Sequence, residues 1–352
     1  MRESRIFLNF FIQKVYKCSD SNEKLGNLLR AWKEFKRGKT KKKDVGQFEL
    51  DLEEYLFELH DDLIDKKYIH QDYTPFYTYD PKRRHIHKAS VRDRVMHQAV
   101  YQILYPIFDQ HFIYDSYSSR KRRGTHLGVE RAYAACRKVS KNWKYKTYVL
   151  KCDVRKFFDS IDHNILRCLI EKRVTSANTM QLVDILLESF EKEKGKGLPL
   201  GNVTSQLFAN VYFDVFDQYV KHVLKATYYF RYCDDFIIIH PDQQFLLELL
   251  EKIKIFLYEQ LALDLHPNKV EIRPLNRGMD FLGYVTVPHM IVLRTRTKRR
   301  IMRKIKTRYE EFKAGKVSKE TFQSTLTSYL GIISHCRDRK LEVYIKTFLK
   351  FV

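Results

Sequence analysis

Short β-branched and aromatic runs alternate with longer segments of helical period through the middle of the chain. Thr147-Tyr-Val-Leu-Lys-Cys152 predicts a strand that ends at Asp153. Asp162 then offers an N-cap to a helix through Ile165, Leu166 and Leu169. From Thr204 to Leu224, the residues Leu207, Phe208, Val211, Val215 and Tyr219 fall at helical spacing. A second helix is expected over Gln243 to Leu261, apolar at Leu246, Leu249, Leu250, Ile253 and Leu257. Between these helices lie Thr227-Tyr-Tyr-Phe-Arg-Tyr-Cys233 and Phe236-Ile-Ile-Ile239, two β runs separated only by Asp234-Asp235, which predicts a tight hairpin. Val270 to Arg273 and Phe281 to Val287 are strand-like again. The order β-α-β-β-α-β is the split βαβ, ferredoxin-like arrangement, in which the first strand lies beside the hairpin. Asp153 is therefore expected to face Asp234 at the tip of its neighbour.

Charge adds a partner to this picture. A formal net charge of +22 and a pI near 9.6 say little about fold and much about binding, and they point to a polyanion. The bases are bunched. Lys36 to Lys43 holds six, Lys82 to Arg94 six with two histidines, Arg120 to Arg123 four, and Arg294 to Arg308 nine. Interleaved with Tyr and Phe, they suit a nucleic-acid backbone with aromatics to stack on bases. The six cysteines, Cys18, Cys136, Cys152, Cys168, Cys233 and Cys336, have no C-x-x-C spacing, so neither a zinc site nor a disulfide framework is suggested and a cytoplasmic setting fits. The apolar stretch Arg5 to Lys14 is short and interrupted, with no export signal expected, and no run of eighteen apolar residues exists to cross a membrane.

Aspartate is a favoured turn residue, so Asp234-Asp235 alone has a structural explanation. A third carboxylate, Asp153, against the same tip changes this, because like charges repel unless a cation sits between them. Mg²⁺ takes oxygen ligands and is held by one or two protein carboxylates plus substrate phosphates. Two such ions suit nucleotidyl transfer, activating a primer 3′-hydroxyl and stabilising the leaving pyrophosphate. Asp153 and Asp234 are the expected ligands, with Asp235 as the third carboxylate. Asp159 and Asp162 lie past the strand in a turn that caps a helix and are expected to be structural.

These residues resemble a known family. Tyr232-Cys233-Asp234-Asp235 resembles the Y-x-D-D box of reverse transcriptases, and Asp153-Val-Arg-Lys-Phe-Phe158 resembles their first palm motif. Ser116-Tyr117 with Arg120 is similar to the S-Y-x-x-R segment of group II intron-like enzymes. Arg84 with Val91-Arg-Asp-Arg94 resembles their fingers motif, Leu265-His-Pro-Asn-Lys269 the next palm motif, and Phe281-Leu-Gly283 the primer-grip turn. The resemblance implies an α+β right-hand polymerase: a basic helical extension over 1–45, fingers over 46–146, a ferredoxin-like (βαββαβ) palm over 147–290 with part of the fingers inserted, and a helical thumb over 291–352. It implies an RNA-directed DNA polymerase acting on template RNA, a cDNA or primer strand and deoxynucleoside triphosphates, with two Mg²⁺ ions. Leu200-Gly201-Asn-Val-Thr-Ser205-Gln206 departs from the usual palm-helix motif and is most similar to reverse transcriptases of diversity-generating retroelements. Those copy a template RNA with frequent errors at adenines and work with a small basic accessory protein.

The resemblance also assigns roles. Phe158 would sit beneath the nucleotide sugar and exclude a 2′-hydroxyl; Arg84, Lys88 and Arg94 would bind the triphosphate; Lys269 would give a proton to the pyrophosphate. Gly201 would let the template base and nucleotide approach the backbone closely, and Gln206 closes the same motif. Leu200 stands where relatives place a glutamine, and a leucine side chain cannot hydrogen-bond. His85, His87, His97 and His126 are dispersed, and none is assigned a catalytic role. Two rival readings are a stand-alone reverse transcriptase in phage defence and a non-catalytic RNA-binding scaffold, which would not need three acids at one tip.

Overall fold

The computed structural model describes residues 21–79 and 82–349; the apolar stretch Arg5 to Lys14 and Cys18 lie outside the described residues. The described chain forms two compact units. One gathers the residues up to Phe112 with Lys156–Asp217 and Glu259–Leu263; the other gathers Ile113–Arg155, Gln218–Tyr258 and the chain from Asp264 onward.

The first unit is mostly helical. Helix Ser21–Lys36 packs on helix Val91–Asp109, with Leu28, Trp32, Val95 and Leu104 buried. Ser90 caps the second of these by accepting from the Asp93 amide. The strands of this unit are β1 (Thr74–Thr78) and β2 (Arg84–Lys88), an antiparallel hairpin with Phe76 opposite Ile86. Side-chain period does not predict it, because most of its side chains are exposed and no apolar alternation marks a buried face. Asp162 accepts from the amides of Asn164 (2.9 Å) and Ile165 (3.1 Å) and so caps helix His163–Glu171 as expected. The helix expected over Thr204 to Leu224 is α-helical over Val203–Gln218 and then widens into a π-helical turn, Tyr219–Val223.

The second unit is built on a four-stranded antiparallel sheet: β3 (Tyr148–Asp153), β4 (Tyr229–Tyr232), β5 (Asp235–His240) and β6 (Glu271–Pro274), in the order β4-β5-β3-β6. That order is the ferredoxin-like one. β5 is apolar at four consecutive positions, Phe236 to Ile239, because both its faces are buried. Val149, Ile237 and Ile239 share a core with Ala132, Ala135 and Cys136 of helix Thr125–Val139.

Two expectations are corrected here. The hairpin loop is Cys233-Asp234, not Asp234-Asp235; Asp235 is the first residue of β5 and pairs with Tyr232 on one side and Asp153 on the other. Asp153 thus faces Asp235 in register, with Asp234 in the adjoining turn. The cause is Cys233, which adopts the left-handed conformation (φ 58°) that a two-residue hairpin loop demands and that glycine or asparagine usually supplies. Phe281 to Val287 is likewise two strands, β7 (Met279–Phe281) and β8 (Tyr284–Val287). Consecutive positive φ at Leu282 (53°) and Gly283 (88°) turns the chain between them. β9 (Met290–Leu293) completes this smaller sheet. Its Tyr284 and Leu293 share a core with Ile301, Ile305, Phe322, Leu326, Leu341 and Ile345 from helices Thr295–Lys313, Lys319–Ile333 and Arg339–Leu349.

Candidate active site

In the second unit, backbone hydrogen bonds fix all three predicted carboxylates at one end of the sheet. Asp153 and Asp235 are paired across β3 and β5. The Val154 amide donates to the Asp234 carbonyl (3.3 Å), and the His266 amide donates to the Asp153 carbonyl (2.8 Å). The turn rests on a buried cation. Arg231 is fully buried, and its Nη1 donates to the Cys233 carbonyl at 3.0 Å. Its backbone is tied to the segment before helix Thr125–Val139, donating to the Asp115 carbonyl (2.9 Å) and accepting from the Tyr117 amide (3.0 Å). The predicted Ser116-Tyr117…Arg120 motif is thus a brace: the Tyr117 hydroxyl donates to the Asp115 carboxylate (2.6 Å), and Arg120 donates to the carbonyls of Ile113 (2.7 Å) and Ser116 (3.1 Å). Sequence reasoning missed Arg231, because nothing in an alternating strand marks one charged residue as buried.

The electrostatics of this sheet end are strained. Burial, reinforced by Asp153, Asp234 and Asp280 and opposed by Lys151, pushes Asp235 up to about 6. Burial and then the Asp153 charge also raise Asp234. Asp235 Oδ1 is buried without a hydrogen-bond partner. Lys269 Nζ, predicted as an acid for the leaving group, lies 2.6 Å from Asp153 Oδ1 and is the cation nearest that carboxylate. Lys151 is turned to Asp280, donating to its carbonyl at 2.8 Å.

An all-oxygen donor set with an orphaned, buried carboxylate oxygen and crowded negative charge fits a hard divalent cation. Among the described residues, no group of three or more His, Cys, Asp or Glu closes into a metal cage. Mg²⁺ does not need one, since substrate phosphates and water complete its shell.

The remaining predicted residues lie in the first unit. Arg84 and Lys88 are exposed on β2. Lys88 pairs with Asp44 at 2.8 Å, and Arg94 pairs with the same Asp44 oxygen at 2.6 Å while its guanidinium lies over the Phe35 ring. Burial would raise Asp44, but the hydrogen bonds from Lys88 and Arg94 outweigh it and hold the carboxyl at about 2. Phe157 is buried against Phe213, whereas Phe158 is half-buried. The Leu200 carbonyl accepts from the His87 amide at 3.1 Å, which joins the palm-helix motif to β2. Gly201, at φ 127°, sits beneath that strand: a Cβ there would stand 3.2 Å from Ile86 Cγ2. Only glycine combines that conformation with that approach. Gln206 is exposed on helix Val203–Gln218.

Asp93, the middle residue of Val91-Arg-Asp-Arg94, has no role in the motif as read from sequence and proves to be a buried junction. It accepts from the Tyr68 hydroxyl (2.9 Å), the Gln71 amide (3.2 Å) and the Ser90 hydroxyl (2.6 Å). Its local half was legible as a capping pair three residues apart. His97 is buried and bonded to Thr204 (2.5 Å) and His70 (3.2 Å), and burial lowers it to about 3, so it stays neutral in the core.

Comparison with known proteins bears on the family and the fold. Residues 78–286 match the family described as reverse transcriptase (RNA-dependent DNA polymerase). Protein YkfC of Escherichia coli is 24% identical over 244 residues, covering 58% of this chain and 63% of that protein. The group II intron-encoded protein LtrA of Lactococcus lactis is 22% identical over 271 residues, covering 58% of this chain and 44% of that protein. The chain therefore spans less than two thirds of the length of these relatives. Telomerase from Candida tropicalis, solved in complex with a fragment of telomeric RNA, superimposes with a TM-score of 0.51 at 15% identity over 78% of this chain and 56% of that one, a likeness of fold. No helix among the described residues is long and apolar enough to cross a membrane.

Proposed function

The chain belongs to the reverse transcriptase family, in its group II intron-like lineage, and on that premise we propose that it is an RNA-directed DNA polymerase. It copies template RNA by extending a primer or cDNA strand with deoxynucleoside triphosphates. The observation that carries this reading is the register of Asp153 against Asp235, with Asp234 in the adjoining turn, on a sheet end that holds more negative charge than its own lysines offset. Asp153 and Asp234, with Asp235 behind them, would hold two Mg²⁺ ions, which when bound make the primer 3′-hydroxyl a better nucleophile and neutralise the leaving pyrophosphate.

The protein's own groups do the rest. Lys269 has an ammonium proton within reach of the Asp153 carboxylate and supplies a proton to the departing pyrophosphate. Arg84, exposed on β2, and Lys88 and Arg94 bind triphosphate oxygens. Phe158, half-buried while its neighbour is core, selects against a 2′-hydroxyl. The expected layout stands as part of the proposal: extension 1–45, fingers 46–146, palm 147–290 and thumb 291–352.

Within the lineage, Leu200 and Gln206 favour the error-prone enzyme of a diversity-generating retroelement, acting with a small basic accessory protein in the cytoplasm. The test is extension of a DNA primer on one defined RNA, with deep sequencing of the product. Synthesis with errors concentrated at template adenines is expected. Uniformly low error would remove the retroelement role and leave the polymerase. RNA binding without any synthesis in the presence of Mg²⁺ would favour a scaffold.

A further inference from the structure

We propose that Asp44 is an internal stand-in for phosphate, a carboxylate that occupies Lys88 and Arg94 in the nucleotide-free chain and gives up Lys88 when a nucleoside triphosphate binds. The proposal rests on the reading of Lys88 as a triphosphate ligand. One oxygen, Asp44 Oδ2, lies 2.6 Å from Arg94 Nη2 and 2.8 Å from Lys88 Nζ. No other acid pairs with either cation among the described residues. A single carboxylate oxygen gripped by an ammonium and a guanidinium is the contact a phosphate oxygen would make.

The three groups differ in freedom. Asp44 is fixed in the first turn of helix Lys43–Leu50, which is anchored by buried Val45 and by Phe48 stacked on Tyr55. Arg94 is held three ways, by Asp44, by the Ser90 carbonyl (3.3 Å) and by the Phe35 ring, and its side chain is 17% exposed. Lys88 has a 43% exposed side chain at the end of β2 and Asp44 as its ion-pair partner. Lys88 is therefore the arm that can leave. The carboxyl held at about 2 stays ionised throughout the working pH range, so the competition is always present.

The experiment is steady-state primer extension on an RNA template with dNTP titration for wild type, Asp44→Asn, Lys88→Ala and the double variant. Asp44→Asn is expected to lower the KM for dNTP about two- to fivefold, the size of a partly exposed ion pair, with kcat changed less than about twofold. Lys88→Ala is expected to raise KM and to abolish the effect of Asp44→Asn in the double variant. A KM that rises in Asp44→Asn would overturn the proposal in favour of a carboxylate that merely positions its cations, and an unchanged KM would reduce it to a surface ion pair. If Lys88→Ala leaves KM unchanged, the failure lies in the reading of Lys88 as a ligand, and the proposal falls with it. Asp44→Ser, compatible with a helix first turn, repeats the test should the amide variant fold poorly, and affinity for inorganic tripolyphosphate should rise in both variants without turnover.

Discussion

At the shared end of β3 and β5, three aspartates crowd together with one lysine at contact distance, whereas on β2 and the helix that follows it two basic residues, Lys88 and Arg94, share a single aspartate, Asp44. Burial and then neighbouring carboxylates raise Asp234 and Asp235 in the first region; hydrogen bonds from two cations lower Asp44 in the second. A region where like charges are forced together is relieved by a cation and is suited to chemistry. A region whose opposite charges are already paired is at rest, and its substitution should change selection rather than chemistry.

The largest expected effect on stability tests the strain. Asp235 binds a proton more tightly in the folded chain than its ordinary 3.8, so metal-free stability should fall as pH rises from about 4 to about 6 and stay low above that. Asp235→Asn should therefore stabilise the metal-free protein near pH 8 by up to about 3 kcal/mol, since each tenfold change in proton affinity on folding is worth about 1.36 kcal/mol. Thermal unfolding across pH checks it, and the advantage should vanish below about pH 4.

Phe158→Ala should raise ribonucleotide incorporation by roughly ten- to a hundredfold, the equivalent of removing an overpacking clash of about 1–3 kcal/mol, with deoxynucleotide kcat little changed. Competition assays read it; unchanged discrimination would return that ring to the core. Leu200→Gln should raise fidelity by up to about tenfold, since a restored hydrogen bond contributes about 0.5–1.5 kcal/mol. Sequencing of cDNA made by both forms decides it. The smallest effect runs opposite to that of Asp235. Asp44→Asn should destabilise the fold by no more than about 1 kcal/mol, because the pair is partly exposed. That contribution is present above about pH 4 and lost as pH falls through about 2, which denaturant unfolding at several pH values would follow. A stabilising Asp44→Asn would erase the contrast between the two regions.

Much of the second unit, and the Asp162 cap in the first, is legible in the sequence. The β-branched runs at Val149 to Cys152 and Phe236 to Ile239, the helix over Gln243–Leu261 and the Asp162 cap follow from side-chain period and capping chemistry, and the strand order follows from the element order. The hairpin loop lies one residue earlier than the pattern predicts because Cys233 takes a left-handed conformation its residue type does not advertise. β1 carries no legible pattern because most of its side chains are exposed. The Asp44 to Arg94 pair spans fifty residues, and local pattern carries no information about which distant acid meets which base.

On the proposed function, Asp153 and Asp234 serve chemistry and not RNA binding. Mg²⁺-dependent primer extension on a defined RNA, with RNA affinity measured on the same samples, tests it in wild type, Asp153→Ala and Asp234→Ala. The expected result is a loss of at least ~10³-fold in extension, about 4 kcal/mol of transition-state stabilisation, with RNA affinity unchanged within about twofold. Extension at the wild-type rate by either variant would contradict the account.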